Sequence, residues 1–254
     1  TSSTIRKNQL LRPYPQMSSL SQTNSPLGKA KTHELNVSLE RRFSKGFNLQ
    51  ASYTRLPNDA ADYFANEFDP TPTWEASNQG RPHRLTGASV VHLPFGKGRA
   101  FAKQGLLNWI FGGFQVGLVY EFQSGPLLTF GNLFFNGDPN TISTANRSFA
   151  QWFDTSGFER DSTKQPAAYH VRVFPRELSH LRADITNNWN TNLQREFKIK
   201  ERASLRLRLD VMNLQNRAQM AAPELSPTST NFGVITSQTQ TTPRAIMMEA
   251  RVAF

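Results

Sequence analysis

Cysteine is absent from the chain, which excludes a disulfide scaffold and thiolate metal sites. Long apolar runs are missing too. The longest, Leu106 to Phe114, is interrupted by Asn108 and by Gly112-Gly113, well short of the roughly 18 residues a membrane-spanning helix needs. A helical membrane protein is thereby excluded, but a β-barrel is not, because its strands alternate apolar and polar residues. The start, Thr1-Ser2-Ser3-Thr4, has neither an initiator Met nor a signal-peptide pattern, so the chain reads as processed or as a fragment. Histidines at 33, 83, 92, 170 and 180 are scattered and form no HExxH motif. Gly96-Lys97-Gly98 lacks the upstream Gly and downstream Ser/Thr of a phosphate loop and reads as a turn. Carboxylates are sparse, 19 Asp+Glu against 29 Lys+Arg. Their one local group, Asp154, Glu159 and Asp161, is a weak basis for hydrolase chemistry. No metal, cofactor or catalytic residue is expected, and an enzyme is not the favoured reading.

What the sequence does contain is alternation. Leu35, Val37 and Leu39 oppose Glu34, Asn36, Ser38 and Glu40; after a turn at 44–46, Phe47, Leu49, Ala51 and Tyr53 oppose Asn48, Gln50, Ser52 and Thr54. This is the period of strands with one wet face. The pattern lapses over 56–80, resumes at Leu85 to Leu93, and returns with Phe114, Val116, Leu118, Tyr120 and Phe122 after a connection through Trp109. An irregular region covers 124–181, with a β-prone piece at Pro126 to Phe130 that either extends the preceding strand or folds into a lumen. Trp189 to Phe197, Leu205 to Val211 and Ile246 to Phe254 complete about seven strands of a length that crosses an outer membrane at a tilt. The expected fold is all-β: an antiparallel transmembrane β-barrel segment, incomplete as a barrel.

Loop lengths sort by side. With the C-terminus in the periplasm, the turns 44–46 and 198–202 and the connection 94–112 fall inside, whereas 57–81, 124–181 and 215–243 fall outside the cell. Residues 1–31, rich in Ser, Thr, Asn, Gln and Pro, read as a further extracellular loop. Short turns inside and long loops outside are barrel asymmetry. A soluble β-sandwich has no reason to show it. Aromatics near predicted strand ends, among them Phe43, Phe47, Tyr53, Phe114, Tyr120 and Phe197, suit membrane-interface girdles. The net charge of +10 allows nucleic acid as a partner, but basic and apolar residues are read as segregating to opposite faces of each strand, so none is expected. The charge is better placed in the lumen and outer loops, facing lipopolysaccharide or a ligand.

Two residue sets stand out. Arg206, Arg208 and Asp210, with Glu249 and Arg251, form an inward row that either lines a ligand path or is a charged lumen wall, the latter preferred. Ile246, Met248, Ala250, Val252 and the terminal Phe254 alternate like an outer-membrane assembly signal, implying the assembly machinery as a partner alongside outer-membrane lipid.

Several segments, in order, resemble the C-terminal barrel of Oar-like TonB-dependent receptors, which carry a carboxypeptidase-regulatory-like N-terminal domain. They include Arg12-Pro13-Tyr14-Pro15-Gln16, Leu39-Glu40-Arg41-Arg42-Phe43-Ser44-Lys45-Gly46, Arg81-Pro82-His83-Arg84-Leu85 and Leu93-Pro94-Phe95-Gly96-Lys97-Gly98-Arg99. Gln123-Ser124-Gly125-Pro126-Leu127, Trp152-Phe153-Asp154-Thr155-Ser156-Gly157-Phe158 and Phe232-Gly233-Val234-Ile235 follow. The resemblance implies a plug-filled barrel of about 22 strands, of which residues 1–254 would be the C-terminal part, without the plug. It also implies uptake of an unidentified ligand across the outer membrane, driven through the TonB energy-coupling system. A small outer-membrane barrel enzyme or adhesin, and a soluble β-sandwich binding module, stand as the alternatives.

Overall fold

The computed structural model describes residues 4, 7–17, 26–66, 68–167, 170–200, 203–239 and 243–254. In chain order the strands are β1 (Lys29–Thr32), β2 (Leu35–Ser44), β3 (Phe47–Arg55), β4 (Asn58–Tyr63), β5 (Thr73–Ala76), β6 (His83–His92), β7 (Phe114–Gln123), β8 (Leu127–Thr129), β9 (Glu177–Arg182), β10 (Thr186–Lys200), β11 (Ala203–Met212) and β12 (Ala245–Ala253). A seven-residue helix, α1 (Gly105–Phe111), precedes β7, and a 3-10 turn spans Lys7–Leu11.

Seven of the strands make one antiparallel sheet in the order β12-β11-β10-β7-β6-β3-β2, an up-and-down meander. The register aligns the alternation across it. Val37 opposes Tyr53, Tyr53 opposes Leu85, and Leu85 opposes Phe122; Leu193 opposes both Val116 and Leu209, and Leu209 opposes Met248. Because side chains alternate with a period of two, a one-residue slip anywhere would carry polar groups into this apolar row. The β2–β3 hairpin closes through Lys45 (φ 53°) and Gly46 (φ 90°), the left-handed pair that matches strand twist in a tight turn. Among the described residues the sheet does not close: β2 and β12 each have one neighbour.

The apolar row is not where the chain buries its core. Leu35, Val37, Leu39, Ile246, Met248 and Val252 are all more than half exposed. The buried cluster lies instead in the long loops, around Leu128, Phe130, Leu133, Trp152, Phe153, Phe158, Phe174, Leu178, Leu181, Phe232 and Ile235. Rings pack edge-on or tilted, with centroids 4.8 Å apart for Phe135–Phe158, 5.0 Å for Phe158–Phe232 and 5.4 Å for Phe130–Phe174. The chain thus has an amphipathic wall and, at one end, an aromatic-cored cap.

The structure revises four sequence expectations, two in the cap and two at the other end of the wall. The 56–80 lapse holds β4 and β5, which form a three-stranded sheet with β1, so the expected N-terminal loop 1–31 ends in a strand. The Pro126–Phe130 piece does not extend β7; β8 pairs with β9, with Leu127 and Leu128 buried in the cap. The connection 94–112 contains α1. The turn expected at 198–202 is tighter, since β10 runs to Lys200 and β11 starts at Ala203; residues 201 and 202 lie outside those described.

Candidate functional site: the polar face and the outer cap

The opposite face of the sheet carries the polar row. Arg206, Arg208, Asp210, Glu249 and Arg251 all lie on it, as alternation requires: Arg206 opposes Arg251, Arg208 opposes Glu249 and Asp210 opposes Met247. Arg208 donates from Nε and Nη2 to Asp210 Oδ1 at 3.0 and 2.7 Å, and Arg206 lies 3.9 Å from Glu196 on β10. Glu196 lies on the same face, as does the Arg84–Glu121 pair at 3.4 Å on β6 and β7. Neither was singled out from the sequence, because only the register shows which polar residues meet. The row has uncharged stretches too: Ser52 donates to Asn36 at 3.1 Å, and Asn48 accepts the Val90 N–H at 2.6 Å.

At the outer end of this face, wall and cap line an open hollow of about 480 Å³. Glu34, Thr54, Arg84 and Gln123 line it from the wall, and Asn78 and Arg81 from the outer loop. Arg81 Nη1 is buried without a hydrogen-bond partner among the described residues, and burial pushes the guanidinium pKa down. Arg182 is shifted the same way, by burial first and then by the charge of Arg81.

The three outer loops are tied together by long-range polar contacts. Asn78 acts as a missing strand neighbour: its Oδ1 accepts the Leu127 N–H at 2.7 Å and its Nδ2 donates to Glu177 Oε1 at 2.9 Å. Arg176 pairs with Glu75 and, at 2.9 Å, with Asp62, and its guanidinium stacks 4.0 Å from the Tyr63 ring. Burial pushes the Glu75 carboxyl up, against the opposing pull of Arg176. Asp184, itself buried, accepts from Arg217 at 2.5 Å and from the Met220 N–H at 3.0 Å, fastening the last loop to the start of β10. Trp152 Nε1 donates to the Arg182 carbonyl at 2.8 Å. The Asp154, Glu159 and Asp161 group makes local turns: each accepts a backbone N–H two residues along, from Ser156, Asp161 and Thr163. Among the described residues no cluster of His, Asp or Glu has metal-ligand geometry.

An amphipathic seven-stranded meander with a folded cap at one end is membrane-barrel architecture, and comparison with known families decides which. The model of a family described as an outer membrane beta barrel domain matches residues 1–247. The chain belongs to that family. Comparison with curated proteins and with solved structures gives no match. The family places the protein in the outer membrane, so the apolar row faces lipid and the polar row the lumen.

The aromatics then fall into two girdles. Tyr53, Tyr120, Phe122 and Trp189 sit at the outer end, with Tyr120 and Trp189 rings 4.2 Å apart. Phe47, Phe114 and Phe197 sit at the periplasmic end. Of the C-terminal set, Ile246, Met248, Ala250 and Val252 share the lipid face, paired with Val211, Leu209, Leu207 and Leu205; Phe254 follows the end of β12 and is almost fully exposed.

Proposed function

We propose that this outer-membrane barrel domain is the C-terminal wall of a TonB-dependent receptor of the Oar-like kind. In this reading it takes up a solute across the outer membrane and carries out no catalytic step of its own. The observation that carries the reading is the open sheet. Among the described residues β2 and β12 present unpaired edges while their lipid faces are formed. An unpaired edge in hydrocarbon leaves backbone groups unsatisfied at several kcal/mol each, so other strands must complete the wall. Seven is also an odd number of strands, against the even counts of bacterial outer-membrane barrels.

The ordered family-like segments add support from where they sit. Trp152 to Phe158 and Phe232 to Ile235 supply the cap's aromatic core, and Gln123 to Leu127 makes the passage from wall to cap. A cap of this kind gives a receptor a firm outer surface, and the hollow around Arg81 and Arg84 lies between it and the lumen. The charged row Arg206, Arg208, Asp210, Glu249 and Arg251 then serves the lumen wall, facing plug and water, and the C-terminal strand serves recognition by the assembly machinery. Energy reaches the plug from TonB.

The test is the coding sequence upstream of the Thr1 codon. The expected result is one continuous frame encoding a plug and about fifteen further alternating strands. A start codon and signal peptide immediately upstream would overturn the receptor reading, and a small barrel enzyme or adhesin would replace it.

A further inference from the structure

The periplasmic connection between β6 and β7 is far longer than its two sister turns, and it is built from residues that water does not favour. Helix α1 is Gly-Leu-Leu-Asn-Trp-Ile-Phe. Leu106, Leu107, Trp109, Ile110 and Phe111 are 71, 59, 67, 41 and 52 % exposed, so none of the described residues covers them. Its one polar side chain, Asn108, turns inward, where Oδ1 accepts the Lys97 N–H at 3.0 Å. Phe95 and Phe101 of the same connection pack against each other at 5.9 Å and remain exposed.

The helix sits against the lipid side of the wall. Arg195 belongs to the lipid-facing row, opposite Phe114 and Leu207. Its guanidinium stacks 4.2 Å from the Phe197 ring and 5.2 Å from Phe114, and Nη1 donates to the Ile110 carbonyl at the end of α1 at 2.9 Å. Arg41, a second lipid-row arginine at the same end, stacks 3.9 Å from the Phe47 ring. These two depart from the segregation of basic and apolar faces expected from the sequence. An arginine on a lipid face is tolerated where it reaches the headgroup layer.

Charge completes the pattern. Residues 93–114 carry Lys97, Arg99 and Lys103 and no acidic residue, and the neighbouring turn 41–46 carries Arg41, Arg42 and Lys45 and none either. An exposed apolar helix with a Trp, edged by cations at the depth of an aromatic girdle, is the composition of an interfacial anchor that attracts anionic lipid.

We propose that the 93–113 connection is a lipid-binding site: α1 lies in the periplasmic leaflet of the outer membrane, and Lys97, Lys103, Arg41 and Arg195 hold the phosphates of anionic phospholipids. The role is separate from transport and rests only on the chain being an outer-membrane barrel.

The test uses the complete protein in vesicles of phosphatidylethanolamine and phosphatidylglycerol. Trp109→Cys and, separately, Leu106→Cys introduce a thiol for an environment-sensitive fluorophore. Phospholipids brominated near the headgroup are expected to quench it, and aqueous iodide is expected not to. In parallel, Lys97→Gln with Lys103→Gln is expected to lower the phosphatidylglycerol retained in native mass spectrometry by about fivefold for each cation removed. Full quenching by iodide with none by brominated lipid would overturn the proposal, marking the helix as water-exposed or as a protein-docking surface. Unchanged lipid retention in a variant that still shows folded-barrel gel migration would overturn the headgroup assignment. If the charge variant does not fold, the labelled thiols decide.

Discussion

Asp154 shows how a single carboxylate stiffens a loop that has no regular structure. It follows the buried pair Trp152-Phe153, and its Oδ1 accepts the Ser156 N–H at 3.0 Å. Hydrogen bonds from the Ser156 backbone and then from its hydroxyl hold the carboxyl below its ordinary 3.8. A depressed folded-state pKa means the ionised form stabilises the fold. The contribution is fully present above about 3.8 and is lost as pH falls through the lower folded value. Asp154→Asn is therefore expected to loosen the cap at neutral pH and to flatten its acid dependence below pH 4. Trp152 fluorescence followed during an acid titration checks both effects. An unchanged titration curve would mean that Asp154 carries no such linkage.

At the scale of elements, the passage from β7 into the cap turns on Gly125. A Cβ there would lie 2.0 Å from the Ala183 carbonyl oxygen, a backbone atom with little room to yield. Next to it, the Ala183 N–H donates to the Pro126 carbonyl at 2.8 Å and Arg182 donates to the Gly125 carbonyl at 3.2 Å. Gly125→Ala should cost at least about 1–3 kcal/mol, as overpacking does. Its signature is cap opening, read as lost hydrogen-exchange protection in β8 and β9, with the wall strands unaffected. The wall itself is tested by Leu209→Arg. Leu209 lies between Leu193 and Met248 in the lipid row, whereas Leu207 lies beside Arg195 and nearer the periplasmic rim. A midplane arginine on the lipid face costs about 2–4 kcal/mol. A neutral result in reversible denaturant unfolding from bilayers would count against the facing of the whole sheet.

The seven wall strands were legible in the sequence because, β6 (with Gly87 and Ser89 in its lipid row) apart, they advertise a period of two, and so were Arg206, Arg208, Asp210, Glu249 and Arg251 as members of one face. Their partners were not: Glu196 meets Arg206 only through the β10–β11 register. The cap was illegible for a related reason. Its ties join residues far apart in sequence, such as Asn66 accepting the Arg172 N–H at 2.6 Å across 106 positions, and no local pattern announces them. Helix α1 was hidden because a single turn or two of apolar residues has no period that separates it from a loop.

Across the whole molecule, hydrophobic burial operates in two different solvents. The wall's apolar row is satisfied by lipid, and the cap's by its own aromatic core in water, so the two need not melt together. Phe153 is the test residue, since it is 1 % exposed and meets Phe130, Phe158 and Phe232 edge-on or tilted. Truncating a buried Phe to Ala typically costs about 3–5 kcal/mol. None of its ring partners lies in a wall strand, so that loss should fall on the cap alone. Phe153→Ala is expected to make the outer loops protease-sensitive, with cleavage confined to 124–185 and 213–244, while the barrel keeps its heat-modifiable gel migration. The same two-solvent arrangement explains how a wall built on strict alternation tolerates loops that do not alternate. The loops carry a core of their own, and the wall only has to hold their ends in place. If Phe153→Ala instead unfolded wall and cap in one step, the cap would have to be part of the barrel's cooperative unit, and the long loops would be needed for the wall to stand.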